Sequence, residues 1–279
     1  VEDGVLNLSK SSGRRYSAVF GDTVVDLADE RPDLVTITAA MPDGTGLGKF
    51  SNRFPDRFYD VGICEQHAVG LANGLAESGM EPVVSIYSTF LQRAYDQLFH
   101  DLVLQDASVT VCVDRAGLVG RDGYTHHGLY DISFLRTLPD FVLMAPRDAA
   151  ELRAMVELSL DTPGPCAIRY PRENVPEPEE REKPELSIGK GEVVVPGEDV
   201  AIIAYGALVT RAMEAADILE EREGIRPEVI NARFAKPLDE ALICKTVREK
   251  EAVVIAEDHC VSGGFGSAVL ELLVEKGID

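Results

Sequence analysis

The sequence predicts an α/β protein of two domains, each built on a mostly parallel sheet flanked by helices. Short apolar segments rich in β-branched residues alternate with longer segments whose apolar residues recur at helical spacing. A Pro/Glu/Lys-rich segment, residues 174–187, interrupts this alternation once, and the pattern then restarts. Strands that alternate with helices favour a parallel sheet covered on both faces. A length of 279 residues accommodates two such domains.

The first domain is predicted at residues 15–173, after an N-terminal tail or linker at residues 1–14. Apolar segments with turn residues at their ends predict strands at residues 34–39, 58–63, 82–87, 109–113, 140–145 and 166–170. Apolar residues at helical spacing predict helices at residues 11–30, 68–76, 89–105 and 147–160. A glycine-rich loop, residues 117–128, lies between two of the strands.

The second domain is predicted at residues 188–279, and residues 174–187 form the linker before it. The same patterns predict strands at residues 200–204, 227–231 and 252–256, and helices at residues 208–222, 237–247 and 264–275. With only three strands, its sheet is expected to be incomplete in this chain.

Composition excludes several classes of function. A net charge of -21 argues against nucleic acid and against an anionic membrane surface, although a local arginine cluster still suits small phosphorylated substrates. No apolar run approaches the ~20 residues of a membrane span. The five cysteines lack metal-type spacing, so we expect reduced thiols in a cytoplasmic protein. The chain begins at Val1 without an initiator Met or a signal pattern, so we expect a fragment or a processed product.

One carboxylate, Glu65, stands where an apolar strand turns at Gly62 into a helix of small residues. Burying a charge at such a junction costs several kcal/mol unless the group is paired or neutralised. Glu65 is therefore a candidate functional residue. The ordinary alternative is a glutamate that caps the first turn of the helix.

Other unusual residues follow the predicted strands, and ligands bind beyond the carboxyl ends of parallel strands. We expect them on the same sheet edge as Glu65: Tyr87, Phe90, Arg93, Arg115, Asp122, His126 and Arg172. Ordinary alternatives stay open, since the aromatic residues fit a core and the arginines fit a surface. The pair His126 and His127 lacks an adjacent carboxylate or cysteine pattern, so no metal site is predicted. Together these residues indicate a phosphate or carbonyl site.

Four of these segments, D-V-G-I-C-E-Q-H-A, Y-S-T-F-L-Q-R-A-Y-D-Q, D-R-A-G-L-V-G-R-D-G-Y-T-H-H-G and R-Y-P-R, closely resemble the 1-deoxy-D-xylulose-5-phosphate synthase family. Its members are thiamine-diphosphate enzymes of the transketolase superfamily. The resemblance runs from Tyr16 to the end of the chain and covers the pyrimidine-binding domain and most of the C-terminal domain. It implies a transferase that condenses pyruvate with D-glyceraldehyde 3-phosphate, releases CO2 and feeds isoprenoid, thiamine and pyridoxal precursors.

The resemblance also implies roles for the residues. Glu65 would hydrogen-bond the pyrimidine ring of thiamine diphosphate, which requires a protonated carboxyl, while Phe90 would stack on that ring and Tyr87 would lie beside it. Arg115 and Arg172 would hold the acceptor phosphate. Asp122, His126 and Arg93 would orient pyruvate and handle protons and charge around the intermediates, whereas His127 is incidental.

The sequence departs from the family in one respect. The G-D-G motif, followed by Asn, that holds Mg²⁺ and the diphosphate is absent. We therefore expect an N-terminal cofactor domain on the same precursor or on a separate chain, weak cofactor binding and no turnover by this chain alone, and a homodimer by resemblance. The alternatives are a split transketolase, a 2-oxo acid dehydrogenase beta subunit, or a non-catalytic scaffold of two domains.

Overall fold

The computed structural model describes residues 13–176 and 182–278, so the predicted tail and linker lie partly outside the described residues. The first part of the chain contains α1 (Tyr16–Glu30), β1 (Leu34–Thr38), α2 (Gly48–Arg53), β2 (Phe58–Asp60), α3 (Glu65–Glu77), β3 (Glu81–Tyr87), α4 (Ser88–Leu91), α5 (Tyr95–Gln97), β4 (Thr110–Asp114), α6 (Asp131–Arg136), β5 (Val142–Met144), α7 (Ala149–Asp161) and β6 (Cys166–Arg169). The second part contains β7 (Glu192–Val195), β8 (Val200–Ala204), α8 (Leu208–Glu223), β9 (Glu228–Asn231), β10 (Phe234–Lys236), α9 (Glu240–Glu249), β11 (Ala252–Ala256) and α10 (Phe265–Glu275). These elements confirm the predicted α/β class.

The first sheet has seven strands in the order β10-β5-β6-β4-β3-β1-β2. The pairs among β1 to β6 are parallel, and only β10 runs antiparallel, beside β5. Buried β-branched and aliphatic side chains fill the central strands, as expected for a sheet covered on both faces. The parallel arrangement brings the carboxyl ends of β1, β3, β4 and β6 to one edge, where the candidate residues begin.

The helix predicted at residues 89–105 is not continuous. The segment consists of α4, a 3-10 turn at Gln92–Ala94, α5 and a π-helical segment at Leu98–Val103. The apolar residues Leu91, Ala94, Leu98 and Leu102 are all buried despite these changes of pitch. Their spacing of three or four residues is compatible with each helix type, so the sequence pattern did not distinguish them.

The second sheet has four strands in the order β11-β8-β9-β7, rather than the three strands predicted. The additional strand, β7, pairs antiparallel with β9. Another strand that the sequence pattern did not predict, β10, belongs to the second half of the chain but completes the first sheet. Both are short, with four residues (E-V-V-V) and three residues (F-A-K) respectively. The consecutive valines of β7 were a local signal that the sequence analysis missed, whereas β10 is too short to be marked by pattern.

The two halves share one apolar core, in which Ile132 and Leu143 of the first half cluster with Tyr205 and Phe265 of the second. A buried ion pair lies near this junction, with Arg169 Nε 2.9 Å from Asp131 Oδ2. No helix in the described ranges has the length and apolarity that a bilayer crossing requires.

Candidate functional site

Glu65 is buried at the start of α3 and is paired with Arg93. The residue is 2% exposed, and its Oε1 accepts a hydrogen bond of 2.6 Å from Arg93 Nη1. Its second oxygen, Oε2, accepts no hydrogen bond from the described residues. The carboxylate therefore does not cap the helix, which was the ordinary alternative. A buried carboxylate needs such a partner, and the guanidinium supplies a charge-assisted one.

Three rings lie next to this ion pair. Tyr87 and Phe90 are stacked with centroids 5.8 Å apart, and His126 meets Phe90 edge-on at 5.4 Å. The guanidinium carbon of Arg93 is 4.9 Å from the Phe90 centroid, so Arg93 contacts both Glu65 and the rings. Tyr87 is buried, and this burial raises the pKa of its hydroxyl. Phe90 and His126 remain half-buried, which leaves part of each ring accessible.

Arg115 follows β4 and is buried rather than on the surface. Its backbone φ of +58° lies in the left-handed region, where a side chain other than glycine is strained by about 1–3 kcal/mol. The guanidinium donates to the Gly44 carbonyl, lies 3.1 Å from Asp114 and stands 4.0 Å from the Tyr87 ring centroid. Surrounding contacts of this kind are needed to hold such a conformation.

Asp122 lies between the two arginines that were predicted to hold phosphate. Its Oδ2 is 3.0 Å from Arg172 Nε and 3.6 Å from Arg115 Nε. The two arginines are not equivalent, because Arg172 lines an open cavity of about 500 Å³ whereas Arg115 does not. Asp122 thus faces the arginine pair, and His126 faces the aromatic rings.

The glycine-rich loop is anchored at its base and by the second domain. Gly117 and Gly128 exchange two backbone hydrogen bonds of 2.8 Å. Asp258, which follows β11, accepts hydrogen bonds from the Leu118 backbone N–H at 3.1 and 3.3 Å. A Cβ on Gly117, whose φ is +77°, would lie 1.8 Å from Asp258 Oδ2, so only glycine fits there. His127 Nδ1 accepts from the Val119 N–H at 3.1 Å, which gives this residue a place within the loop.

Three residues of this site were not predicted from sequence. Asp114 is fully buried, and burial raises its pKa to about 6 although Arg115 opposes the shift. Its signal was a charged residue at the end of the apolar run V-C-V-D. Gly44 and Asp258 each follow a predicted strand, but nothing local shows that the Gly44 carbonyl binds Arg115 or that Asp258 reaches Leu118.

The arrangement suits an aromatic heterocycle and an anion. Glu65 offers one unengaged carboxyl oxygen beside an accessible aromatic ring, which fits a ring nitrogen that hydrogen-bonds a carboxyl and stacks on Phe90. Arg172 offers a guanidinium to an anionic group in the cavity. Within residues 13–176 and 182–278, no group of three or more His, Cys, Asp or Glu is placed to hold a metal ion.

Two protein families match the chain. The transketolase pyrimidine-binding domain matches residues 12–178, and the transketolase C-terminal domain matches residues 189–279. The chain is 53% identical over 279 residues to 1-deoxy-D-xylulose-5-phosphate synthase 1 of Geobacter sulfurreducens, covering 100% of this chain and 44% of that relative. It is 56% identical over 266 residues to the synthase of Thermomicrobium roseum, covering 95% and 42%. The chain thus spans less than half the length of these curated relatives.

Solved structures have the same architecture. A split-gene transketolase, an inactive beta4 tetramer, superposes with a TM-score of 0.86 at 35% identity, covering 95% of this chain and 86% of that one. A transketolase of Campylobacter jejuni superposes with a TM-score of 0.76 at 18% identity, covering 94% of this chain and 45% of that one, which shows the shared fold.

Proposed function

Because this chain belongs to the transketolase family, we propose that it supplies the pyrimidine-binding and C-terminal domains of a 1-deoxy-D-xylulose-5-phosphate synthase. The proposed enzyme is a thiamine-diphosphate-dependent transferase that condenses pyruvate with D-glyceraldehyde 3-phosphate and releases CO2. Its product would feed isoprenoid and thiamine precursors. The identity of 53% to a named synthase over the whole chain supports this choice within the family.

One observation carries the proposal: the buried Glu65 is ion-paired with Arg93, whose exposed guanidinium lies over the half-exposed ring of Phe90. A buried acid beside a ring that remains accessible is expensive to maintain for stability alone. The same edge holds the Arg172 guanidinium beside an open cavity, which suits a substrate that carries phosphate. The combination matches a heterocyclic cofactor and a phosphorylated acceptor.

Thiamine diphosphate supplies a thiazolium carbon that stabilises negative charge after decarboxylation. In our proposal Glu65 hydrogen-bonds the pyrimidine ring through its carboxyl, and Phe90 stacks on that ring. Arg93 fixes the Glu65 side chain and presents positive charge beside the ring. Tyr87 stacks on Phe90 and so helps to hold the Phe90 ring in place.

Substrate orientation is proposed for the remaining residues. His126 lies edge-on to Phe90, where its imidazole can donate or accept a proton near the reacting atoms. Arg172 binds the acceptor phosphate. Arg115, which the resemblance also assigned to that phosphate, is buried and does not line the cavity, so we propose that it holds Tyr87 and Asp122 in place instead. Asp122 sets the separation of the two guanidinium groups.

We also propose that the ligands of Mg²⁺ and the diphosphate lie outside this chain, in a cofactor domain on the same precursor or on a separate polypeptide. The lengths of the relatives support this, since the chain covers 44% of one synthase. A homodimer and a cytoplasmic location complete the proposal. The five free cysteines are compatible with a reducing compartment.

The test compares the chain alone with the chain combined with a cofactor domain, with thiamine diphosphate, Mg²⁺, pyruvate and D-glyceraldehyde 3-phosphate present. We expect 1-deoxy-D-xylulose 5-phosphate and CO2 only from the combination, and only weak cofactor binding by the chain alone. Product formed by the chain alone would overturn the proposed division of the site. No product from the combination would overturn the synthase assignment.

A split transketolase is the second candidate, favoured by the 35% identity to a split-gene transketolase over 86% of that chain. The two functions differ in the donor. A transketolase takes two carbons from a ketose phosphate, whereas the synthase takes them from pyruvate. Supplying the combination with D-xylulose 5-phosphate in place of pyruvate distinguishes them by which donor is consumed.

A further inference from the structure

The cavity that Arg172 lines contains two further arginines. Arg15 and Arg121 line the same space of about 500 Å³. The chain as a whole carries a net charge of -21, so its average surface repels anions. Three guanidinium groups around one cavity therefore form a positively charged patch on a molecule that is negatively charged overall.

The side chains of the two additional arginines have no partner in the part of the chain that the structure describes. Within the described ranges, neither the Arg15 side chain nor the Arg121 side chain makes an ion pair or a hydrogen bond, and both residues are exposed. Arg172, in contrast, is held by Asp122 at 3.0 Å. One exposed arginine without a partner is ordinary, but two that face the same cavity as a third, fixed guanidinium are not.

Among the described residues, Glu173 is the only acidic residue that lines the cavity, and an arginine neutralises it. Glu173 Oε1 is 2.8 Å from Arg211 Nη2. Arg15 is also the N-cap residue of α1, a helix of 15 residues whose positive end adds to the potential there. The cavity thus combines two arginines that lack a described partner, a glutamate whose charge is neutralised by Arg211, and the positive end of a helix dipole, all of which favour an anion.

We propose that Arg15, Arg121 and Arg172 form an anion subsite that binds a phosphate dianion. Planar guanidinium groups bind phosphate oxygens in bidentate fashion, and the exposed Arg15 and Arg121 leave their donors available to an anion beside Arg172. The phosphate has two possible sources, the acceptor substrate or a separate phosphorylated effector. The first source rests on the proposed function, and the second does not.

The first experiment titrates the 279-residue chain with inorganic phosphate by calorimetry and by NMR of the arginine side chains. We expect Arg121→Gln and Arg15→Gln each to weaken phosphate binding by roughly three- to tenfold, because these contacts are charge-assisted but exposed. Arg121→Lys should recover most of the affinity, and higher salt should lower it. Arg222→Gln, at an exposed position of α8, removes the same charge far from the cavity in sequence and should leave binding unchanged.

Phosphate affinity that is equal in Arg121→Gln, Arg15→Gln and Arg222→Gln would overturn the subsite, as would affinity too weak to detect in the unsubstituted chain. Circular dichroism of each variant checks that the fold is kept. The readout does not depend on turnover, so an inactive enzyme that still binds phosphate through these arginines would refute the synthase assignment and support the subsite.

The second experiment identifies the source in the complete enzyme, combined with a cofactor domain. If the acceptor is the source, Arg121→Gln raises KM for D-glyceraldehyde 3-phosphate by roughly three- to tenfold, with kcat, KM for pyruvate and KM for unphosphorylated D-glyceraldehyde unchanged. If KM stays constant while phosphate binding weakens, the subsite serves a separate phosphorylated effector. A KM increase of equal size for both acceptors would contradict a phosphate role.

Discussion

Glu65→Gln keeps the shape of the side chain but replaces the carboxyl with an amide that cannot exchange a proton. In the complete enzyme we expect turnover to fall by roughly 10²- to 10⁴-fold, the usual range for losing an acid or base, while Gln still accepts the hydrogen bond from Arg93. Steady-state kinetics measures the fall in turnover. Chemical denaturation measures whether the free energy of unfolding is kept, as the retained hydrogen bond from Arg93 implies. Glu77→Gln at the exposed end of α3 is the matched control. Turnover at the unsubstituted rate would remove Glu65 from the mechanism.

Asp114 makes stability depend on pH in a specific direction. Burial raises its pKa from 3.8 to about 6, so the folded chain holds a proton that the unfolded chain releases between these values. The free energy of unfolding therefore falls as pH rises from about 4 to about 6, by up to ~3 kcal/mol for a shift of this size. Asp114→Asn stays neutral and should lose this dependence.

Urea unfolding at several pH values between 4 and 7 checks the Asp114 prediction. The informative quantity is the difference between Asp114→Asn and the unsubstituted chain, because other groups titrate in both. Asp33→Asn, at an exposed position, is the control and should follow the unsubstituted chain. A constant difference between Asp114→Asn and the unsubstituted chain across this pH range would contradict the shift.

At the residue scale, the sequence predicted which side chains lie at the site better than it predicted their contacts. Glu65 and Phe90 lie on the expected edge because each follows a strand of a parallel sheet. The contact between Asp122 and the arginines was not predictable, since it depends on the conformation of the loop between them. Gly44 was missed for the same reason.

At the scale of elements, Asp258 fixes the glycine-rich loop from the second domain. Asp258→Ala removes the acceptor of the Leu118 N–H, so we expect hydrogen exchange at that amide to accelerate by roughly tenfold or more, the value of one charge-assisted hydrogen bond. In the complete enzyme the KM for the acceptor should rise, because the same loop carries Asp122.

Asp217→Asn, an exposed substitution on α8, is the control for the Asp258 prediction. If the Leu118 amide exchanges in Asp258→Ala at the rate seen in this control, the loop keeps its backbone conformation without the Asp258 hydrogen bond. Asp258→Asn is a useful second variant, because its amide oxygen still accepts a hydrogen bond and should restore part of the protection.

Strands were predicted correctly where burial on both faces gives a continuous apolar segment. They were missed where a short strand forms by pairing with a strand that is distant in the sequence. The central strands β1, β3 and β4 are continuous apolar runs and were predicted close to their bounds. The valines of β7 were a local strand signal that was missed. β10 forms because β5 offers it a partner strand, and no pattern within three residues encodes that. The changes of helical pitch after β3 likewise follow from packing.

At the scale of the molecule, Phe234 joins the two halves. It belongs to β10 but is fully buried in the core beneath the first sheet, with Phe20 and Met144. Phe234→Ala should lower the free energy of unfolding by about 3–5 kcal/mol, the usual cost of emptying a buried aromatic site. Because the halves also share the core around Tyr205 and Phe265, we expect both to unfold together.

Hydrogen exchange in increasing urea, followed separately at β4 and β8, measures this coupling. Coincident transitions that shift together in Phe234→Ala are expected. Substituting the exposed Val254 by alanine in the second sheet is the control and should cost far less. Separate transitions, with only one moved by Phe234→Ala, would show that the halves are independent.

The position of β10 beside β5 has a consequence for the integrity of the chain. Hydrolysis of one peptide bond within residues 177–181 would break the covalent connection between the halves, yet β10 would still be hydrogen-bonded into the first sheet. The two pieces should then co-purify under native conditions and separate only in denaturant. A nicked molecule would thus stay folded. The intact backbone would be needed for the two halves to find each other during folding, and much less for them to stay together afterwards.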